Sequence, residues 1–193
     1  AKTVLLEKNK SLGKKLLLTG KGRSNLAKAE FNPKELVKKY GRQGDFLLYP
    51  LSIFGVKEII SFFEKKGLKT KTERGKRIFP ESGQASDVLA VLIDYLKLAE
   101  VKIITDAEVK EIFKEKNRIA KIVLKDGRPA CQRGREILAR NYIIATGGKS
   151  YPKTGSTGDG YLWAKKLGHN VSKLRSALVP LRVKENWPKE AQG

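Results

Sequence analysis

Few side chains in this sequence could do chemistry unaided. The one histidine, His169, falls at a predicted helix end, where capping explains it, and no Ser-His-Asp set forms around it. No carboxylate pair stands at catalytic spacing. The single cysteine, Cys131, excludes an internal disulfide framework and a cysteine-based zinc site, and reads as a small hydrophobe in a strand region. What the chain offers is residues suited to holding a ligand. Residues 145–160 read Ala-Thr-Gly-Gly-Lys-Ser-Tyr-Pro-Lys-Thr-Gly-Ser-Thr-Gly-Asp-Gly. Glycines there let backbone N–H groups approach a ligand, and a helix start favours negative charge. Glu7 closes a short apolar run, where dinucleotide-binding folds place the acid that accepts from an adenosine ribose, although an acid such as Glu7, taken alone, is more often a surface acid. Arg23 lies in a second glycine-bearing stretch, residues 19–25, and its planar fork suits a pyrophosphate or an electron-rich ring; the alternative is a surface arginine.

Two phosphate motifs are excluded. Gly148-Lys149-Ser150 has the end of a P-loop, but position 143, where that motif needs glycine, is Ile. Gly20 and Gly22 begin a G-x-G-x-x-G pattern whose third glycine position holds Asn25. On local physics, a nucleotide site and a plain glycine-rich connection both remain open for residues 145–160.

These stretches need elements to position them. Tyr142, Ile143 and Ile144 run apolar without alternation, which predicts a strand buried on both faces. Tyr161, Ala164 and Leu167 then recur at helical spacing, with Gly168 as a C′ stop. The long loop would thus leave the carboxyl end of a parallel strand and feed a helix, where open α/β sheets bind ligands. Residues 3–6 predict a strand and residues 12–18 a short helix. Asn32, Pro33 and Glu35 mark a helix start. Residues 41–45 break the pattern. Val56, Ile59, Ile60 and Phe63 form an amphipathic stripe ending at Gly67, and Val88, Val91, Leu92 and Tyr95 form another; both read as core faces. Residues 68–72 and 77–79 suggest two strands about a turn, and residues 101–105 a further strand. Residues 107–113, 118–124 and 136–139 suggest a β-meander with turns at Lys116-Asn117 and Asp126-Gly127.

The long loop, continued through Tyr161, residues 164–169 and residues 177–181, resembles the BaiN/RdsA family of NAD(P)/FAD-dependent oxidoreductases, some of whose members are labelled aminoacetone oxidase family FAD-binding enzymes. Residues 5–9 (LLEKN), 13–17 (GKKLL), 19–25 (TGKGRSN), 77–80 (RIFP) and 85–88 (ASDV) match in the same order. The resemblance implies an α/β, Rossmann-like FAD/NAD(P)-binding fold: a parallel sheet with helices and a three-stranded β-meander. It implies FAD as cofactor, with NAD(P)H as a candidate electron donor, and a flavin that carries the redox chemistry. It places Glu7, Lys8, Lys15, Gly20, Gly22, Arg23, Ser24, Asn25, Ala145, Thr146, Gly147, Gly148, Thr157, Gly158 and Asp159 along the cofactor, and Val109 near the adenine edge. Residues 19–25 and 145–160 are expected to converge on one ligand. The family usually has Cys where this chain has Ser24, so Ser24 is not nominated as catalytic. Family members open with a strand, a G-x-G-x-x-G turn and a helix that this chain lacks, and continue past Gly193. The fold is therefore expected to be incomplete: residues 1–181 as a partial FAD-binding domain, residues 182–193 as the start of an inserted substrate domain, and the chain alone a fragment that holds FAD weakly or not at all and turns over no substrate.

Composition adds one tension. Lys and Arg number 41 against 20 acids, a net +21 over 193 residues, with pI near 10.0. Such charge suits RNA, and dihydrouridine formation in ribosomal RNA is one activity associated with the family; amine oxidation and reduction of unsaturated bile-acid intermediates are others. The lysines are scattered in pairs, which favours a solvated surface, and the paired aromatic motifs of an RNA-recognition domain are missing. A basic RNA-binding module without catalysis stays as the alternative. No stretch approaches the ~18 apolar residues of a membrane span, no signal-peptide pattern opens the chain, and one cysteine fits a reducing cytoplasm.

Overall fold

The computed structural model describes residues 2–125 and 135–175. Cys131, the Asp126-Gly127 turn, residues 177–181 and residues 182–193 lie outside them. Strand β1 (Val4–Leu6) pairs in parallel with β5 (Lys102–Ile104), Leu5 opposite Ile103. Everything between them is one long excursion. It carries β2 (Ala27–Lys28), α1 (Pro33–Lys38), α2 (Leu48–Ile53), α3 (Val56–Glu64), β3 (Thr70–Glu73), β4 (Arg77–Pro80) and α4 (Ala85–Leu98). Strands β2, β4 and β3 form an antiparallel sheet in that order.

The core sits on this sheet. Ile78, Phe79 and Val88 are each 1% exposed. Ile78 packs with Leu36 and Val56, and Val88 with Phe63 and Leu68. The expected helix stripes largely make these contacts: Val56 and Phe63 are buried on α3, with Ile59 and Ile60 partly so, and on α4 Val88 is buried and Val91 and Leu92 partly so, whereas Tyr95 is exposed. Asn32 caps α1 as its sequence predicts, accepting from Lys34 N at 3.0 Å. Residues 12–18 form less helix than expected; a 3-10 turn starts at Leu16 and loses helical geometry at Thr19.

After β5, strands β6 (Val109–Glu115), β7 (Arg118–Leu124) and β8 (Glu136–Ile137) make the expected antiparallel meander. The last element is α5 (Asp159–Lys166). It closes with Gly168 N donating to Lys165 O and His169 N to Ala164 O, the paired bonds of a Schellman motif, so His169 contributes its backbone here.

Two sequence expectations are corrected. Tyr142, Ile143 and Ile144 form no strand, and Ile143 is 93% exposed. Among the described residues the parallel sheet holds only β1 and β5, so this segment has no ladder partner. The Tyr142 hydroxyl instead accepts from Ala139 N at 2.8 Å and lies 3.2 Å from both Ala120 O and Ile137 O, which fixes the segment beside the meander. The second correction concerns apolar length. The helical run Gly41–Glu64 is long and apolar enough, by length and composition, to cross a membrane. Its backbone is broken at Phe54 (φ −135°, ψ 80°) and Gly55 (φ −100°, ψ −155°), and its inner side, through Leu51, packs on the core.

Candidate ligand-binding site

The site is built where β1 ends. Glu7 N donates to Ile104 O, which continues the parallel ladder one step, and Ala107 N donates back to Glu7 O. Residues 7–9 are thereby held against the start of the meander, with Val109 two residues beyond Ala107. From this corner three side chains reach across more than a hundred residues to the long loop.

Lys8 makes the strongest of these links. Its Nζ lies 2.6 Å from Thr157 Oγ1 and 2.7 Å from Asp159 Oδ2. Thr157 Oγ1 in turn lies 2.8 and 2.9 Å from the two Asp159 oxygens. Burial works against the Asp159 charge, but the hydrogen bonds from Lys8 and Thr157 and the Lys8 charge outweigh it and hold its carboxyl below the usual range. Asp159 also opens α5, where a carboxylate is favoured by the exposed amides. The negative charge that the sequence reading expected at this helix start is supplied by the resident Asp159 carboxylate, which holds the Lys8 ammonium.

Asn9 is the second link, and sequence reasoning passed over it. Its backbone N and its Nδ2 both donate to Glu7 Oε1, at 2.8 and 2.7 Å, and Nδ2 also donates to Thr154 O at 3.1 Å. Both bonds to the carboxylate go to Oε1, and among the described residues Oε2 receives no hydrogen bond. Lys15 is the third link, with Nζ 2.7 Å from Ser150 O and 3.2 Å from Ser150 Oγ. Inside the loop, Thr154, Ser156 and Gly158 are buried. Gly147 faces Ser156, Gly148 the Tyr161 hydroxyl and Gly158 the Lys149 stem. Ala145 and Thr146 lead into it from the meander side.

Residues 19–25 sit differently. No hydrogen bond or ion pair among the described residues joins them directly to residues 145–160; Lys15, just ahead of them, makes the link. Gly20 packs against Phe79, and Ser24 is buried at 4% exposure. The Asn25 amide nitrogen, turned toward them, lies 2.9 Å from Ala27 O and 3.1 Å from Ile78 O. Arg23 stacks its guanidinium 4.1 Å from the Phe79 ring centroid and donates to Glu73 Oε2 at 2.8 Å. That bond, foremost, keeps the Glu73 carboxyl below its usual range. One fork edge of Arg23 is therefore committed to the β3–β4 hairpin, and Glu73 is a partner that local spacing, fifty residues away, could not reveal.

The described residues bring together an acid at a parallel strand's end, a glycine-rich loop tied to the residues after it, and a helix following the loop. The family model for the HI0933-like protein Rossmann domain matches residues 1–183. The chain belongs to this family. The family's domain is a Rossmann domain of the flavin- or nucleotide-binding kind. Over its whole length the chain is 35% identical to the 3-dehydro-bile acid delta(4,6)-reductase of Clostridium scindens, covering 44% of that protein. It is 25% identical over 182 residues to the ribosomal RNA dihydrouridine synthase of Haemophilus influenzae, 94% of this chain and 43% of that protein. To the Escherichia coli enzyme of the same name it is 24% identical over 191 residues, 99% of this chain and 44% of that protein. The chain thus spans less than half the length of these relatives.

Proposed function

We propose that this chain is an FAD-holding part of a flavin-dependent oxidoreductase, and that FAD is the ligand of the β1 corner. The observation that carries the reading is Glu7: a carboxylate at the end of a parallel strand, with Oε1 held by Asn9 and Oε2 open to a ribose diol. Residues present fit the group. Glu7 would hold the adenosine ribose, Lys8 and Lys15 would set the loop over it, and residues 145–160 would line the chain's approach to the flavin. When bound, the flavin supplies the redox chemistry, with NAD(P)H as the donor compatible with this family. The 35% identity to a reductase supports reduction of the substrate as the working direction. Spanning under half of that relative, the chain alone is expected to bind FAD weakly and to turn over no substrate. The test is a flavin titration by absorbance and fluorescence with FAD, FMN and AMP. FAD and AMP should bind the chain and FMN should not; Glu7→Ala should abolish AMP binding. AMP binding that is unchanged by Glu7→Ala would remove the basis of the reading.

A second reading, an RNA partner, has its own observation. Lys28, Lys39 and Lys76 gather around one acid: Glu30 Oε2 lies 3.9 Å from Lys39 Nζ and 4.0 Å from Lys76 Nζ. Lys28 is crowded by the hydrogen bond and charge of Lys39, which lower its pKa. Two ammonium groups on one carboxylate, with a third beside Lys39, leave local charge that a phosphate chain would neutralise. The two ribosomal RNA dihydrouridine synthases among the relatives support the same partner class.

A further inference from the structure

Asn9 touches both things the site must bring together. Through Nδ2 it holds the Glu7 carboxylate at 2.7 Å and the backbone carbonyl of Thr154 at 3.1 Å. Through its backbone N it holds the same Glu7 oxygen at 2.8 Å. An amide is the side chain that can do this: its NH2 carries two donors, one for each acceptor, where a hydroxyl has one and a carboxylate none. The loop is shaped to receive it. Thr154 and Ser156 on either side of the contact are buried, at 7% and 5% exposure. Gly155, at φ +97°, passes so close that a Cβ there would stand 2.7 Å from Asn9 Nδ2. Left-handed backbone and missing side chain are both needed for the amide to reach the Thr154 carbonyl.

We propose that Asn9 is a positioning residue that couples the ribose acid to the glycine loop, so that a ligand held on Glu7 tightens residues 145–160 through the Asn9 amide. The proposal rests on the reading of Glu7 as a ribose acid. A ribose hydroxyl donating to Oε2 fixes the Glu7 carboxylate in one orientation. The fixed carboxylate then fixes Asn9 Nδ2, and with it the carbonyl of Thr154. The loop would close in proportion to occupancy at the strand end, with no contact between the ligand and Thr154 required.

The discriminating variant is Asn9→Asp, which keeps the shape and removes both donors; Asn9→Ala removes the shape as well. Hydrogen–deuterium exchange of peptides spanning residues 145–160 is followed with and without saturating FAD or AMP, and binding is measured separately by titration. In the ligand-free chain both variants should speed exchange in the loop by about 5–30-fold, the loss of one or two net hydrogen bonds, while β6 and β7 stay unchanged. In the native sequence AMP, which lacks the flavin that would lie along the loop, should slow loop exchange further, and in Asn9→Asp it should slow it by less than twofold even at saturation; FAD, which adds direct contact with the loop, should slow exchange in both. If the native chain binds neither ligand, the ribose-acid reading fails and the proposal fails with it. If the native chain binds AMP and Asn9→Asp shows the same loop protection by AMP, the proposal alone is overturned.

Discussion

The Lys8–Asp159 pair makes a quantitative claim about what docks the glycine loop. Asp159→Asn removes the charge and leaves an amide of the same size. The two side chains are 23% and 28% exposed and 2.7 Å apart, so the pair belongs between two regimes. Exposed pairs contribute about 0.2–1 kcal/mol, and well-shielded hydrogen bonds to charged groups about 1.5–3 kcal/mol. Partial exposure and competition from Thr157 place the coupling near 1 kcal/mol. It is measured by a double-mutant cycle of Lys8→Ala, Asp159→Asn and the pair, using urea unfolding at neutral pH. The acid limb gives an independent sign. The folded Asp159 pKa is lowered, so the unfolded chain binds this proton more readily. The stabilisation is full above the unfolded value of about 3.9 and is lost as pH falls through the lowered folded value. Native protein should therefore lose more stability between neutral pH and strong acid than Asp159→Asn does, with the loop, cut by trypsin at Lys149 and Lys153, opening first. A coupling under about 0.3 kcal/mol, or identical acid limbs in the two proteins, would refute this account of loop docking.

Two further outcomes test the other parts of the chain. At Gly20, φ is +57° and a Cβ would meet both Asn25 N and the Phe79 ring at 2.9 Å; Gly20→Ala should destabilise by about 2–5 kcal/mol, left-handed strain plus overpacking, in urea unfolding, and a loss under 1 kcal/mol would show that residues 19–25 are not clamped to the hairpin. Replacing Lys28, Lys39 and Lys76 together with Ala should lower the salt slope of single-stranded RNA binding by about 2, as three lost phosphate contacts require, and an unchanged slope would remove this cluster from any RNA path.

The sequence was most informative where one residue's job is settled by its neighbours in the chain. Asn32 capping α1, the Val56–Phe63 stripe, the meander with its Lys116 turn and the Gly168 stop are all local patterns, and each is present. Residues 142–144 carry the pattern of a doubly buried strand and yet lie open. Periodicity states what a segment can bury, whereas burial needs a partner on each side, and none of the described strands supplies it. The same logic separates the site residues. Glu7 and the glycines of residues 145–160 could be nominated because their types advertise a function. Glu73 and Asn9 could not, since an exposed-looking acid on a hairpin and an asparagine after a strand are commonplace until the fold brings Arg23 to one and Thr154 to the other. The stretch Glu7-Lys8-Asn9 gathers this into three consecutive positions. A strand end turns out of its extended pleat, so successive side chains no longer alternate strictly between two faces. The ammonium and the amide can then both address the same loop, each on a different partner, while the carboxylate holds the amide. Glu7 and Asn9 share an oxygen, and Lys8 and Asn9 grip Asp159 and Thr154 five residues apart. Loop docking is therefore distributed over two chemistries, one titrating in acid and one not. Removing the Asp159 charge should loosen the α5 end of the loop while the Asn9 bonds still hold its middle, and the combined Asp159→Asn and Asn9→Asp change should free residues 154–159 while Lys15 still holds Ser150.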